Sequence, residues 1–212
     1  VKYWAYLTML SNMSNINPFN RINSYFNNSD SAVFDGLSYS ADSLFISSRE
    51  NKKRLIVVDS NTDGERLYKE LGTFNQDITD NELIFIPGTE EMPYDMVDSD
   101  KYLSSKKNLG LVQLINSKSK KITVITTIKN LQKRLIPKND LIKDTIYIEK
   151  DSSLNIEDLR KKLTNMGYLI NPQVNFHGEF SIRGSIIDIY PGGYEYPIRI
   201  DLNDIKIESI KY

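Results

Sequence analysis

Residues 180–202 have the sequence FSIRGSIIDIYPGGYEYPIRIDL, in which apolar and polar residues alternate on both sides of Gly192-Gly193. Alternation with a period of two is typical of strands that bury one face, and a glycine pair favours a turn between two such strands. In the first run the alternation slips between Gly184 and Ile187, which we interpret as a β-bulge. The pattern therefore predicts two antiparallel strands, over 180–190 and 198–202.

The residues around this pair extend it into a small α+β domain over 145–212. Apolar residues three and four apart predict one helix, over 156–166, which ends at Gly167. No helical pattern separates the later apolar runs, which favours an antiparallel sheet. The other predicted strands are 145–148, 174–176 and 206–210. Because the last strand runs to Tyr212 with no closing element, we expect the sequence to be part of a longer protein.

The preceding residues alternate short apolar runs with helical patterns. Continuous apolar strands separated by helices are typical of a parallel sheet covered on both faces. This predicts an α/β domain over 32–144, preceded by an N-terminal extension, residues 1–31, that contains a short helix after Pro18. The predicted strands are 32–35, 55–58, 83–86 and 122–126, and the predicted helices are 62–71, 100–116 and 128–135.

The junction after the first predicted strand has the layout of a phosphate-binding loop. A P-loop has the sequence G-x-x-x-x-G-K-[ST], whose backbone amides and lysine hold the phosphates. Gly36 and Ser43 match its ends, but Ala41 replaces the second glycine and Asp42 replaces the lysine. A unit charge pair at ~4 Å and an effective dielectric near 20 is worth roughly 4 kcal/mol. Exchanging a cation for an anion therefore predicts a degenerate P-loop-like domain that binds no nucleotide cofactor and catalyses nothing.

A second interpretation of the same residues needs no relation to a P-loop. Glycine and serine are common wherever a strand passes through a loop into a helix, and Asp42 favours a helix N-terminus. Both interpretations predict that the loop does not hydrolyse ATP.

The composition excludes several classes of site. The 212 residues include no cysteine, so disulfides, zinc–thiolate centres and cysteine nucleophiles are absent, which fits a cytoplasmic protein. The apolar run at residues 1–10 is too short to span a bilayer, so we expect no membrane association. The one histidine, His177, has no serine or second histidine arranged around it, so we expect neither a catalytic nor a metal site.

Charge is distributed unevenly along the chain, although the net charge is only −1. Residues 101–143 carry eleven lysines and arginines against one acidic residue, Asp140, whereas residues 1–100 carry eight against sixteen. One interpretation is a phosphate-binding face that contacts DNA directly. The other is that helices expose lysines to solvent and the acidic first half compensates them, since Tyr102 is the one aromatic residue of the segment.

Two arginines are candidates for contact with a protein partner. Ile182 and Ile186 are predicted to point inward, so Arg183 points outward, and Arg199 points outward from the next strand. If the strands pair around the glycine turn, both arginines lie on the solvent face, and exposed arginines are common anchors at interfaces. Alternatively they are ordinary surface residues that Asp201 or Glu195 neutralises.

Three segments resemble the UvrB-like module of the transcription-repair coupling factor (Mfd) family. They are HGEFSIRGSIIDIYPGGYEYPIRIDLNDIKIESIKY at 177–212, EEMPYDMVDSDKYLSSKKNLGLVQL at 90–114, and ITVITTIKNLQKRLIPKNDLI at 122–142. The chain is less similar to UvrB, which keeps an intact P-loop and carries a long aromatic-rich insertion where this chain has the short link from Pro93 to Lys101.

The resemblance implies a function that composition does not. It implies a module without ATPase activity whose second domain binds UvrA through Arg183 and Arg199, and which helps to hold the family's ATP-dependent DNA translocase in an inhibited state. It also implies that RNA polymerase and DNA are contacted by other parts of such proteins. Family members often carry an aromatic pair just after the second arginine, where this chain has Leu202 and Asn203. This departure puts the affinity for UvrA in question.

Overall fold

The computed structural model describes residues 33, 35–37, 39–49, 53–74, 81–89 and 101–212, which form two sheets with their covering helices. The first sheet contains β1 (Lys53–Val58), β2 (Asn81–Ile86) and β3 (Lys121–Thr127). The second contains β4 (Leu169–Ile170), β5 (Glu179–Arg183), β6 (Ile186–Ile189), β7 (Ile198–Asn203) and β8 (Lys206–Lys211). The helices are α1 (Ala41–Ser47), α2 (Asn61–Phe74), α3 (Lys101–Asn116), α4 (Ile128–Leu131), α5 (Lys138–Lys143) and α6 (Ile156–Asn165).

The first sheet is parallel, in the order β1-β3-β2, and helices pack on both of its faces, while Leu55 and Val57 of the edge strand β1 stay exposed. On one face Leu67 and Leu71 of α2 pack against Phe85 and Ile125. On the other face Ile84 and Ile86 pack against Leu111 of α3 and Leu141 of α5. Successive residues of a strand point to opposite faces, which is why a strand covered on both sides consists of a continuous apolar run. The predicted parallel sheet with helices on both faces is confirmed.

The second sheet has the order β4-β5-β6-β7-β8 and is antiparallel apart from the short parallel strand β4. Helix α6 covers one face, where Leu159 and Leu163 pack into the core of the sheet. The side chain of Asn155 caps the helix by accepting hydrogen bonds from the amides of Glu157 and Asp158. The strand residues of this core are Phe180, Ile187, Ile189, Ile200, Leu202 and Ile207. The predicted antiparallel sheet with one helix is confirmed.

The strand predicted over 180–190 was wrong, because the structure has a hairpin there. Strand β5 ends at Arg183, Gly184 and Ser185 form the turn, and β6 begins at Ile186. Gly184 has a φ of +61°, which glycine adopts without the steric penalty of a side chain. The slip in alternation is therefore a turn and not a bulge. As a consequence Ile186, paired with Arg183, lies on the face of the arginines rather than in the core.

Two other predicted strands of this half were also wrong. Residues 145–148 do not pair with any strand, but Ile146 and Ile148 pack against the core of the second sheet, so their apolar character reflects burial. Residues 174–176 form a loop, because the amides of Asn175 and Phe176 donate to the carboxylate of Glu179 instead of to a neighbouring strand. Strand β4 was not predicted.

The differences in the first half are smaller. The helix predicted over 128–135 ends at Leu131, and α5 was not predicted. The strand predicted over 32–35 is not seen at its two described residues: Val33 and Asp35 lie outside any strand, and Val33 is 97% exposed. The N-terminal extension, its short helix and residues 90–100 lie outside the described residues.

Helix α3 connects the two halves through close packing. The ring of His177 lies 4.0 Å from the ring of Tyr190 and 5.2 Å from that of Tyr102 in α3. The Nε2 atom of His177 is 2.8 Å from the carbonyl oxygen of Tyr194. Gly193 has a φ of +82°, and a Cβ atom there would lie 3.0 Å from the backbone of Lys106. The glycine turn thus allows the second sheet to approach α3 closely.

Candidate protein-docking face

The candidate site lies on the face of the second sheet opposite α6. The strand register pairs Ser181 of β5 with Asp188 of β6, and Asp188 with Arg199 of β7. Two residues along β5, Arg183 pairs with Ile186. These side chains point away from the core formed by Phe180, Ile187 and Ile200, because strand residues alternate between the two faces. We call this surface the arginine face.

Asp188 joins the two arginines. Its Oδ1 accepts a hydrogen bond from Arg199 Nε at 2.7 Å, and its Oδ2 accepts bonds from an Nη of Arg199 at 3.0 Å and an Nη of Arg183 at 2.6 Å. The Asp188 side chain is 13% exposed, whereas those of Arg183 and Arg199 are 58% and 49% exposed. The Asp188 carboxylate therefore lies just below the surface, and the two guanidinium groups that it binds lie at the surface.

The charges of this cluster are mutually stabilised. Hydrogen bonds from Arg199, and then from Arg183, outweigh desolvation and lower the pKa of Asp188 below its ordinary value. The same bond to Asp188 raises the pKa of Arg199. Because the guanidinium of arginine is always protonated in proteins, two arginines and one carboxylate give the cluster one net positive charge.

Most donors of the two arginines remain available to a partner. A guanidinium has five N–H donors, and within the described ranges Arg199 uses two of them and Arg183 uses one, which leaves three on Arg199 and four on Arg183. Planar guanidinium groups that keep free donor pairs are suited to carboxylate groups, which they bind in bidentate geometry. The arrangement can therefore bind an acidic patch on another protein.

The predicted shared face of Arg183 and Arg199 is confirmed, but the carboxylate that hydrogen-bonds both arginines is Asp188 and not Asp201 or Glu195. Asp201 accepts hydrogen bonds from Lys211 and Ser209 instead, each at 2.6 Å. The residue that sequence reasoning missed is Asp188. The sequence could have predicted Asp188 if Gly184-Ser185 had been interpreted as a turn, because such a turn places Asp188 on the outer face and opposite Arg199.

The margins of the arginine face differ from the pattern implied by the resemblance. Leu202 is 5% exposed and belongs to the core of the second sheet, whereas Asn203 is exposed.

At the other margin of the arginine face Phe176 is 71% exposed, and its amide donates a hydrogen bond to Glu179 that fixes its backbone. Asn171 also donates to this carboxylate, so the pKa of Glu179 is lowered, chiefly by the bond from the Asn175 amide.

The loop that resembles a P-loop contains an internal ion cluster. Ala41, Asp42 and Ser43 lie in the first turn of α1. Asp42 accepts two hydrogen bonds from Arg66 of α2, at 2.8 and 3.2 Å, and Arg66 also donates to Glu70 at 3.0 Å. Ser43, which is fully buried, donates its hydroxyl proton to Glu70. Gly36, with a φ of +78°, precedes this cluster.

The balance of charge in this cluster is unfavourable for a phosphate. Two carboxylates share one guanidinium, and the bond from Arg66 lowers the pKa of Asp42 while raising that of Arg66. The cation that could attract a phosphate is thus already paired with carboxylates.

The basic segment over 101–143 is divided by the fold. Lys118 and Lys120 lie just before β3, whereas Lys129 and Arg134 lie beyond its other end. A strand of seven residues separates the two groups by about 20 Å. Within the segment Lys106 pairs with Glu65 at 2.9 Å, and Lys133 donates to Thr89. Among the described residues, these basic side chains therefore form two groups about 20 Å apart and not one compact cluster.

The described residues lack a membrane-spanning helix and a cluster of metal-ligating side chains. None of the helices there has the length and apolar character needed to cross a membrane. In the same ranges, no three His, Cys, Asp or Glu side chains lie close enough together to hold a metal ion.

Comparison with known proteins identifies the family. Residues 146–212 match a family model described as the UvrB interaction domain. The transcription-repair-coupling factor of Haemophilus influenzae is 30% identical over 184 residues, which are 86% of this chain and 16% of that protein. The chain is also similar to the transcription-repair-coupling factor of Borreliella burgdorferi, with 46% identity over 41% of this chain and 8% of that protein. It is likewise similar to that of Staphylococcus aureus, with 31% identity over 92% of this chain and 16% of that protein. The chain thus spans less than a fifth of the length of these relatives. The chain belongs to the family of transcription-repair-coupling factors, and its residues 146–212 match the UvrB interaction domain.

Proposed function

We propose that the chain is a non-catalytic recruitment module that binds UvrA through the arginine face. In this role it brings nucleotide excision repair to RNA polymerase stalled at DNA damage. The observation that carries the proposal is the cluster of Arg183, Asp188 and Arg199 on the exposed face of the domain that matches the family model. Contacts with polymerase and DNA are assigned to parts of the family's longer proteins that this chain does not cover.

Several features of the arginine face support protein binding. Arginine is among the residues most often found at the energetic centre of interfaces, since it combines charge, planar shape and an apolar stem. The hairpin turn and the regular register of β5, β6 and β7 make the backbone beneath the arginines rigid. A rigid surface loses little conformational freedom on binding.

The first half of the chain has a supporting role in this proposal. In its P-loop-like segment Asp42 accepts two hydrogen bonds from Arg66, so the one cation there is already paired. We therefore assign this segment no cofactor and no catalytic residue. Its packing through α3 against Gly193 and His177 holds the second sheet in place.

Capture of purified UvrA by the immobilised chain tests the proposal. We expect the wild-type chain to retain UvrA, and Arg183→Ala or Arg199→Ala to weaken binding by roughly 2 kcal/mol or more. Arg160→Ala is the matched control, because Arg160 is 43% exposed and lies on α6, which covers the opposite face of the sheet. Unchanged capture by both arginine-face variants would refute the assignment.

A further inference from the structure

We infer that Asp188 is a positioning residue for partner binding, which holds Arg183 and Arg199 in the geometry that a carboxylate-bearing surface recognises. The inference rests on the proposed function and adds a residue to it. It also predicts that loss of the Asp188 charge weakens partner binding, whereas simple charge complementarity predicts that it strengthens binding.

The geometry supports a positioning role because one nearly buried carboxylate accepts hydrogen bonds from both guanidinium groups. Asp188 uses both oxygens on Arg199, binding its Nε and one Nη, and so defines the plane of that guanidinium. The same Oδ2 also accepts from Arg183. Asp188 itself sits in the central strand of the three, paired with β5 on one side and β7 on the other. Its position is therefore set by the sheet, and the positions of the arginines are set by Asp188.

The two arginines would otherwise be flexible. A long, half-exposed side chain loses much of its rotamer freedom when it is immobilised. If Asp188 orders both side chains before binding, this loss is not incurred again when the partner docks. The N–H donors that do not bond Asp188 are then already ordered when the partner arrives.

Charge and positioning predict opposite effects when Asp188 is neutralised. If the partner is acidic and Asp188 acts only as a competing negative charge, Asp188→Asn makes the face more positive and tightens binding. If Asp188 positions the arginines, the same change weakens binding, because an amide has one acceptor oxygen and turns an NH2 group toward the guanidinium donors.

Asp201→Asn is a matched control that separates these effects. It removes one negative charge from the same face, but Asp201 hydrogen-bonds Lys211 and Ser209 and neither arginine. Charge alone predicts that both variants bind the partner more tightly. Positioning predicts that they behave differently.

The test measures association and dissociation of the full chain on immobilised UvrA, for the wild type and for Asp188→Asn, Asp201→Asn and Arg199→Ala. We expect Asp188→Asn to dissociate roughly tenfold faster, with an association rate that is unchanged or higher. Asp201→Asn should dissociate no faster than the wild type. Because a dissociation rate does not depend on concentration, this readout holds even if part of the variant is unfolded.

A second measurement requires no partner. Side-chain ¹⁵N relaxation of the free chain should show ordered Arg199 Nε–H groups in the wild type and in Asp201→Asn, and mobile ones in Asp188→Asn. The inference is overturned if Asp188→Asn dissociates no faster than the wild type while Arg199→Ala does, a result that leaves the proposed function intact. If the wild-type chain fails to bind UvrA, the proposed function falls and the inference falls with it.

Discussion

Arg66 and Asp42 form a two-bond ion pair between α2 and α1, with Nη···Oδ distances of 2.8 and 3.2 Å. When residues 36–43 are compared with the sequence G-x-x-x-x-G-K-[ST], Asp42 stands at the position of the lysine. Its net effect on stability is modest, because both side chains are about one-third exposed and surface ion pairs contribute about 1 kcal/mol or less. Its effect on ligand choice is larger, since Arg66 is paired with both Asp42 and Glu70, and a cluster of two carboxylates and one cation disfavours a triphosphate.

The chain should therefore bind no ATP-Mg. Titration calorimetry at neutral pH is expected to give only the heat of dilution. A variant with Asp42→Lys is also expected not to bind, because Glu70 remains beside Ser43 and the second glycine of the motif is still Ala41. Micromolar affinity of the wild-type chain for ATP would contradict the prediction.

The hairpin turn provides a prediction about stability with a control of opposite sign. Gly184→Ala should destabilise the chain by about 1 kcal/mol, because a side chain at a φ of +61° is strained. Gly72→Ala, in α2, should stabilise it by about 0.5–1 kcal/mol, since alanine favours a helix and no atom lies within 4 Å of the new Cβ. Urea unfolding of both variants measures the difference, and equal effects of the two would be inconsistent with this account of the turn.

The layers of the fold could be predicted from the sequence because they depend on local patterns. The continuous apolar runs of β2 and β3 indicated a sheet buried on both faces, and the alternation in β7 indicated a sheet buried on one. The apolar pattern could not distinguish a segment that pairs in a sheet from one that is only buried. Residues 145–148 are apolar because Ile146 and Ile148 pack on the core, yet they join no sheet.

The candidate site was predicted in part. The alternation around Arg183 and Arg199 placed both on the outer face, but Asp188 was assigned to a continuous strand because a glycine that forms a bulge and a glycine that forms a turn give the same slip in parity. Which carboxylate binds an arginine depends on strand register, and register is fixed by turn geometry, which residue types alone do not specify.

Glu179 should make the stability of the chain depend on pH. Its carboxylate accepts hydrogen bonds from the amides of Asn175 and Phe176, which lower its pKa below the ordinary value of 4.5. The stabilisation is therefore present in full above that value and is lost as the pH falls through the lowered pKa. Glu179→Gln should reduce the free energy of unfolding at neutral pH, and the gap to the wild type should narrow in acid.

The measurement for Glu179 is urea unfolding at a series of pH values. Glu208→Gln, at an exposed position of β8, is the control and should leave the pH profile of the wild type unchanged. A gap between wild type and Glu179→Gln that stays constant from neutral to acid pH would show that the carboxylate is not the stabilising group.

Direct DNA binding through residues 101–143 should be weak, since the fold separates Lys118 and Lys120 from Lys129 and Arg134 by the length of β3. Each neutralised phosphate contributes about −0.9 to the slope of log K against log salt. Because either group can reach only two or three phosphates, we expect a slope no steeper than about −3 for duplex DNA, and no measurable binding at physiological salt. Fluorescence anisotropy of a labelled duplex across a salt series gives the slope. A steeper slope that is reduced equally by Lys118→Ala and by Lys129→Ala would show that both ends of β3 contact one duplex, and would favour DNA binding as the function of this segment.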